Sequence, residues 1–135
     1  MTPFLNFISS TNLSEFKNSL CKSLKSPGGR EEVIEINDRY MMKKLTMWAG
    51  HRCSLQYHNI KCETIYVLSG QLRIYSGMTQ EELTSKVYGP DETITLVPGV
   101  VHRMEAVEDS VYLEASTPEM DDVVRLVDDY QRTVQ

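Results

Sequence analysis

Short runs of alternating apolar and polar residues, each ended by turn residues, follow one another through most of this chain. Between residues 31 and 116 the runs are EEVIEI, YMMKKLTMW, SLQYHNI, TIYVLSG, QLRIYSG, SKVYGP, ETITLVPG, VHRMEAV and SVYLEAS. Turn residues such as Ser76-Gly77 and Pro98-Gly99 separate them. Because the alternation has the two-residue period of strands and no long helical pattern interrupts it, the sequence predicts an all-β antiparallel sandwich or barrel. A parallel sheet with crossover helices is not expected.

The N-terminal end has a different pattern, in which apolar residues recur at helical spacing. These residues are Leu13, Phe16, Leu20 and Leu24. The run Ser26 to Gly29 would end such a helix. We therefore predict a short helix within an N-terminal segment, residues 1–30, followed by the barrel over residues 31–117.

The C-terminal tail, residues 118–135, is predicted to form a short element that packs on the barrel. Ser116 or Thr117 before Pro118 gives a helix-start signal. The apolar residues that follow do not distinguish a helix from a strand, so both remain open. The charges of MDDVVRLVDDYQR are expected to form a solvated face on which Arg125 is paired locally.

Length, charge and cysteine content narrow the class of protein. The chain has 135 residues, of which 41% are hydrophobic and 24% are charged, as is typical of one globular domain with a core. A formal net charge of −5 argues against a nucleic-acid partner, which needs a basic face. No apolar run is long enough to span a membrane, and the N-terminus has no secretory pattern. The three cysteines form no disulfide framework, so we expect a cytoplasmic protein.

Polar residues interrupt the apolar pattern in the stretch QYHNIKCE. With a period of two, Gln56 and His58 project from one face of their strand into the same space. Glu63 opens the next run, and if the two runs are antiparallel neighbours it lies across from His58. We expect the same face to provide an apolar floor, formed by Ile60, Ile65 and Val67.

A second polar position follows the Pro98-Gly99 turn, where His102 begins a strand. One barrel interior would then receive an amide oxygen, two imidazoles and a carboxylate, from Gln56, His58, Glu63 and His102. This donor set suits one divalent ion, such as Zn²⁺, Fe²⁺ or Mn²⁺, with positions left for water or substrate. The alternative is that both histidines are satisfied core residues without a metal.

These residues resemble the motifs of the cupin superfamily, small double-stranded β-helix (jelly-roll) barrels. The stretch GHRCSLQYHNIKCETIYVLSG, residues 50–70, is similar to the first cupin motif, and GPDETITLVPGVVHRMEA, residues 89–106, is similar to the second. Gln56 stands where the first motif has its first histidine, and Ala106 stands where the second motif ends in asparagine. The resemblance implies a cupin barrel that holds one divalent metal ion through Gln56, His58, Glu63 and His102.

Within this superfamily the chain resembles the type II mannose-6-phosphate isomerases, the C-terminal cupin of bifunctional mannose-1-phosphate guanylyltransferase/mannose-6-phosphate isomerase proteins. The similarity rests on SLQYH and on MDDVVRLVDDYQR and covers roughly residues 31–132. It implies zinc as the preferred metal, with iron, manganese, cobalt or nickel as alternatives, and a homodimer. Residues 59–65 depart from the family, and Lys61 replaces an arginine, so it cannot clamp a phosphate with two parallel hydrogen bonds.

The resemblance implies a metal-dependent aldose–ketose isomerase whose small-molecule substrate is a sugar or sugar phosphate such as mannose 6-phosphate. Lys61 is the candidate catalytic residue, in contact with the substrate. Two alternatives stay open. One is a cupin metalloenzyme of another type, such as an iron-dependent dioxygenase or an epimerase. The other is a non-catalytic cupin that binds a metal or a sugar.

Overall fold

The computed structural model describes residues 24–26 and 28–130. Over these residues the regular structure consists of antiparallel β-strands. In chain order they are β1 Leu24–Ser26, β2 Gly29–Ile36, β3 Met41–Met47, β4 Leu55–Tyr57, β5 Glu63–Ser69, β6 Leu72–Gly77, β7 Thr84–Tyr88, β8 Thr93–Leu96, β9 Val101–Ala106, β10 Ser110–Ser116 and β11 Val124–Val127. The all-β prediction is confirmed, and each predicted run corresponds to one of the strands β2 to β10. The described residues include no helix that is long and apolar enough to cross a membrane.

The strands form two sheets whose inner faces pack against each other. One sheet has the strand order β1-β2-β3-β10-β5-β8, and the other has the order β11-β4-β9-β6-β7. In β5 the inward positions Glu63, Ile65 and Val67 are buried, and the alternate positions are partly exposed. The alternation that buries the apolar core therefore also places Glu63 in the interior. The main core combines side chains from both sheets, namely Met47, Ile65, Val67, Leu72, Ile74, Leu96, Met104, Ala106 and Tyr112.

The pairing of β4 and β5 differs from the expectation that they are antiparallel neighbours. β4 pairs with β9 and β11, whereas β5 pairs with β10 and β8 in the other sheet. Glu63 therefore reaches His58 across the interior rather than along a shared ladder, because the chain crosses between the sheets in the segment that joins the two strands. Ile60 lies in this crossing segment and is 65% exposed, so the prediction that it lines the interior is wrong.

Both ends of the described chain extend the sheets. Most of the predicted N-terminal helix lies outside the described residues, but Leu24, the last residue in its pattern, begins β1 and pairs with Glu31 of β2. The C-terminal tail provides a strand rather than a helix. β11 pairs with β4, and Arg125 lies opposite Gln56. The tail thus forms an edge of the five-stranded sheet, next to the strand from which Gln56 projects.

Candidate metal centre

Three buried side chains, those of His58, Glu63 and His102, converge from different parts of the two sheets. His58 directly follows β4, Glu63 opens β5, and His102 lies in β9. Glu63 Oε1 lies 3.1 Å from His102 Nε2 and 3.5 Å from His58 Nε2. Zinc–ligand bonds of about 2.0–2.2 Å separate neighbouring ligands of a tetrahedron by roughly 3.3 Å, which is close to these distances. A single ion between the three side chains would contact all of them.

Backbone carbonyl groups fix which nitrogen of each imidazole faces the interior. His58 Nδ1 lies 2.6 Å from the carbonyl oxygen of Asp122, and His102 Nδ1 lies 2.9 Å from that of Val100. Because a carbonyl oxygen only accepts hydrogen bonds, both Nδ1 atoms carry the proton, and in the neutral ring Nε2 keeps its lone pair. This is the arrangement in which a histidine binds a metal through Nε2.

Within residues 24–26 and 28–130, the inward-facing atoms of the trio have no hydrogen-bond partner. These atoms, His58 Nε2, His102 Nε2 and Glu63 Oε1, are all buried. Three buried acceptors that face one another are costly unless a cation lies between them. A divalent ion satisfies all three at once, so the residues present fit a metal. A proton on either Nε2 atom would instead form a hydrogen bond to Glu63. Protonation of the histidines therefore competes with metal binding.

Gln56 lies next to this trio but is not one of its buried members. It pairs in register with His102 across β4 and β9, and its side chain lines the same pocket. The Oε1 atom accepts a hydrogen bond of 2.9 Å from the hydroxyl group of Ser54. An amide oxygen has a second lone pair, so this bond leaves Gln56 able to act as a further metal ligand.

Lys61 is buried between two carboxylates. Its Nζ atom lies 2.9 Å from Glu114 Oε2 and 3.2 Å from Glu63 Oε2. Burial alone would lower the pKa of Lys61, but the charges of Glu114 and Glu63 outweigh burial and raise it. Burial alone would raise the pKa of Glu63, but hydrogen bonds from His102 and His58, when these rings carry a proton on Nε2, and the charge of the Lys61 ammonium group hold it well below its ordinary value. The ion pair therefore keeps Glu63 negatively charged.

Glu114 was not identified from the sequence, although a signal for it exists. In the run SVYLEAS it occupies an inward position of β10, two residues after Tyr112 and two before Ser116, and all three are buried. A glutamate at an inward strand position needs a partner, and Lys61 provides it. Burial, together with the nearby charge of Glu63, raises the pKa of Glu114.

Asp122 fixes the crossing segment that leads from His58 to Glu63. Its carboxylate accepts backbone N–H groups of Asn59 at 3.0 Å, Ile60 at 2.6 Å and Lys61 at 2.8 Å. Burial alone would raise the pKa of Asp122, but these three hydrogen bonds outweigh it and lower the pKa. The sequence placed Asp122 on a solvated face, because nothing local to MDDVVR indicates a contact about sixty residues away.

A pocket of about 290 Å³ opens onto the trio. Its polar lining includes Gln56, His58, Glu63 and Lys61, and its apolar lining includes Met104 and Tyr112. Arg125 of β11 also lines it. Within the described part of the chain Arg125 has no ion pair and its Nε atom is buried without a hydrogen-bond partner, so the expected local pairing of Arg125 is not present.

The two facing antiparallel sheets have the cupin-barrel fold, and solved structures are similar to this chain. KdgF from Halomonas sp. matches with a TM-score of 0.65 at 17% identity, covering 74% of this chain and 88% of that one. An RmlC-like cupin from Shewanella frigidimarina has a TM-score of 0.66 at 14% identity, covering 76% and 88%. Bacillus subtilis oxalate decarboxylase has a TM-score of 0.67 at 19% identity, covering 78% and 30%. At these identities the likeness concerns the fold.

The family within the cupins is given by a family model described as Mannose-6-phosphate isomerase C-terminal, which matches residues 14–128. The chain belongs to this family. Mannose-1-phosphate guanylyltransferase of Escherichia coli is 29% identical over 116 residues, which cover 78% of this chain and 22% of the relative. Xanthan biosynthesis protein XanB of Xanthomonas campestris is 30% identical over 118 residues, which cover 79% and 23%. The chain thus spans less than a quarter of the length of these relatives.

Proposed function

We propose that this domain holds one divalent metal ion between His58, Glu63 and His102, with Gln56 as a further ligand, and isomerises a sugar phosphate between its aldose and ketose forms. The observation that supports the metal is the set of three buried, unpartnered acceptor atoms that face one another. Membership of the Mannose-6-phosphate isomerase C-terminal family supports the reaction class. Zinc fits the nitrogen and oxygen donors best, and iron, manganese, cobalt and nickel accept the same donors.

The reaction moves a proton between adjacent carbon atoms while negative charge develops on the neighbouring oxygens. A bound divalent ion supplies the charge that polarises the carbonyl and hydroxyl oxygens of the open-chain sugar. Glu63, held ionised by Lys61, gives the centre a carboxylate ligand. Because the Lys61 ammonium group already contacts Glu63 and Glu114, we assign it a positioning role, and its proton stays on the nitrogen.

Glu114 is the group to which we assign the proton transfer. It lines the pocket on the side of Lys61, and its raised pKa suits a carboxyl group that takes up and returns a proton. The variant Glu114→Gln keeps the shape of the side chain and its contact with Lys61 but cannot exchange the proton. We expect it to keep its metal and to lose turnover by about a hundredfold or more.

Two of the residues at which the crossing segment differs from the family lie outside the pocket, so they argue less strongly against catalysis than the sequence suggested. Asn59 and Ile60 are exposed, and neither lines the pocket. Differences at these two positions therefore leave the pocket groups in place. This favours an isomerase over a cupin that binds its ligand without turnover.

The metal centre is tested by elemental analysis of protein purified without a histidine tag. Wild type should contain about one equivalent of a divalent metal, and the His58→Ala/His102→Ala variant should contain none. The metal-loaded protein should then interconvert mannose 6-phosphate and fructose 6-phosphate. Retention of metal by the double variant would refute the site.

Two further outcomes would favour the alternative functions. Oxygen uptake by the iron-loaded protein would favour a dioxygenase, and thermal stabilisation by the sugar phosphates without turnover would favour a binding domain. The homodimer remains a prediction.

A further inference from the structure

Arg125 is the cation of the pocket that lacks a carboxylate partner. Arg125 lines the pocket beside the trio, and its position on β11 is fixed by pairing with Gln56 of β4. The Nε atom of Arg125 is buried, and among the residues that the structure describes it finds no hydrogen-bond partner and no carboxylate forms an ion pair with the side chain. A buried guanidinium donor without a partner costs free energy, which an anionic ligand in the pocket would recover.

The other cations that line the pocket are already neutralised. Lys43 Nζ lies 2.6 Å from Glu31 Oε1, and Lys61 lies between Glu63 and Glu114. Both lysines are therefore committed within the protein, and Arg125 alone among these three cations is available to a ligand.

The charge of the pocket selects the kind of ligand. Its lining contains three carboxylates and three cationic side chains, which balance: Glu31, Glu63, Glu114, Lys43, Lys61 and Arg125. A divalent ion at the trio would leave the pocket with two excess positive charges. A doubly charged anion matches that excess, and at neutral pH a phosphate monoester carries close to two negative charges.

We propose that Arg125 recognises the phosphate group of the substrate, which rests on the proposed function for the identity of the sugar phosphate. The planar guanidinium group can donate two parallel hydrogen bonds to one phosphate, a geometry that lysine cannot match. Arg125 thus determines that the domain takes a phosphorylated sugar rather than a neutral one.

The experiment compares the binding of mannose 6-phosphate, mannose and glucuronate to the metal-loaded protein by calorimetry. Wild type should bind mannose 6-phosphate at least about tenfold more tightly than mannose, since hydrogen bonds to a charged group contribute this much or more. Arg125→Ala should remove that preference and leave mannose binding and metal content unchanged. Arg125→Lys keeps the positive charge but cannot donate two parallel hydrogen bonds, so its preference for mannose 6-phosphate should lie between those of wild type and Arg125→Ala. Arg39→Ala, at an exposed arginine away from the pocket, should behave as wild type.

Each contrary result has a distinct meaning. Equal affinity of wild type and Arg125→Ala for mannose 6-phosphate would overturn the proposal, as would a wild type that does not distinguish the phosphate from the neutral sugar. Tighter binding of glucuronate that depends on Arg125 would replace phosphate with a sugar carboxylate. If the Arg125→Ala variant does not fold, the comparison of wild type with Arg125→Lys tests the proposal. A preference for mannose 6-phosphate over mannose that is unchanged in Arg125→Lys would count against recognition through two parallel hydrogen bonds. Arg125-dependent phosphate binding without isomerisation would uphold this inference and refute the proposed reaction.

Discussion

Lys61 Nζ and Glu63 Oε2 lie 3.2 Å apart, while the other oxygen of the same carboxylate faces the two histidines. One carboxylate therefore links an internal ion pair to the proposed metal centre. The ammonium group fixes the orientation of Glu63 and balances a charge that would otherwise be buried alone. In the proposed centre, the affinity for a metal would depend on Lys61, which is not itself a ligand.

Replacing Lys61 with methionine should destabilise the protein strongly. The change leaves Glu63 and Glu114 buried close to each other without a cation, and removing one partner of a buried ion pair typically costs about 3–5 kcal/mol. Urea unfolding of the metal-free variant at neutral pH measures the loss. The double variant Lys61→Met/Glu114→Leu should recover much of it, because one of the two uncompensated charges is gone. A single variant as stable as wild type would show that the ion pair has no structural role.

The hydrogen bonds that the Asp122 carboxylate accepts from the crossing segment, here called the Asp122 clamp, should affect both the stability of the protein and its affinity for a metal. Asp122→Ala leaves the N–H groups of Asn59, Ile60 and Lys61 without their partner, so we expect a loss of about 1–3 kcal/mol in the free energy of unfolding. Metal affinity should fall by about tenfold or more, because the segment between His58 and Glu63 is no longer fixed. Chelator competition gives the affinity. Asp121→Ala is the matched control at an exposed neighbour, and an equal effect there would contradict the clamp.

The turn between β5 and β6 requires glycine for two reasons. Gly70 has a φ of +87°, and a Cβ atom there would lie 2.4 Å from the carbonyl oxygen of Asp109. Gly50 has a similar φ of +84° but open space around it. Gly50→Ala should therefore lower the free energy of unfolding only by the cost of a side chain in the left-handed conformation, about 1–2 kcal/mol. Gly70→Ala should lower it clearly more, because the added Cβ atom also clashes. Thermal melting compares the two variants, and equal costs would show that the turn yields to the added methyl group.

Removal of the metal should lower the melting temperature of wild type. An ion that binds only the folded state stabilises it in proportion to the logarithm of its concentration over Kd. A chelator should therefore reduce the melting temperature of wild type, and readdition of zinc should restore it. The His58→Ala/His102→Ala variant should respond to neither treatment. A chelator effect of the same size in that variant would place the metal elsewhere.

The contact between the tail and the loop before β4 should depend on pH. Asp129 Oδ2 accepts a 2.5 Å hydrogen bond from Arg52 Nε, and this contact holds the pKa of Asp129 below its ordinary value of 3.8. A lowered pKa means that the stabilisation is complete above that ordinary value and is lost as the pH falls through the folded-state pKa. Asp129→Asn should therefore melt slightly below wild type at pH 7, and the difference should vanish in strong acid. A difference that persists at low pH would assign the effect to packing.

The strands and the first members of the site could be predicted because their signals are local. Alternation with period two fixes which residues of one strand share a face, and this placed Glu63 with Ile65 and Val67. The register of His102 relative to Met104 and Ala106 followed in the same way. The pairing of β4 with β9 and β11, rather than with β5, could not be predicted, because which strands become neighbours depends on how the two sheets pack.

The sequence by itself predicted the all-β class, the strands β2 to β10 and the four residues proposed to bind the metal, since each of these predictions follows from spacing along the chain. Only the tertiary structure decided the partners of those residues. Asp122 and Val100 orient the imidazoles through backbone oxygens, which have no signature in a side-chain pattern. Glu114 and Arg125 belong to strands far in sequence from QYHNIKCE, and the packing of the two sheets brings them to the pocket.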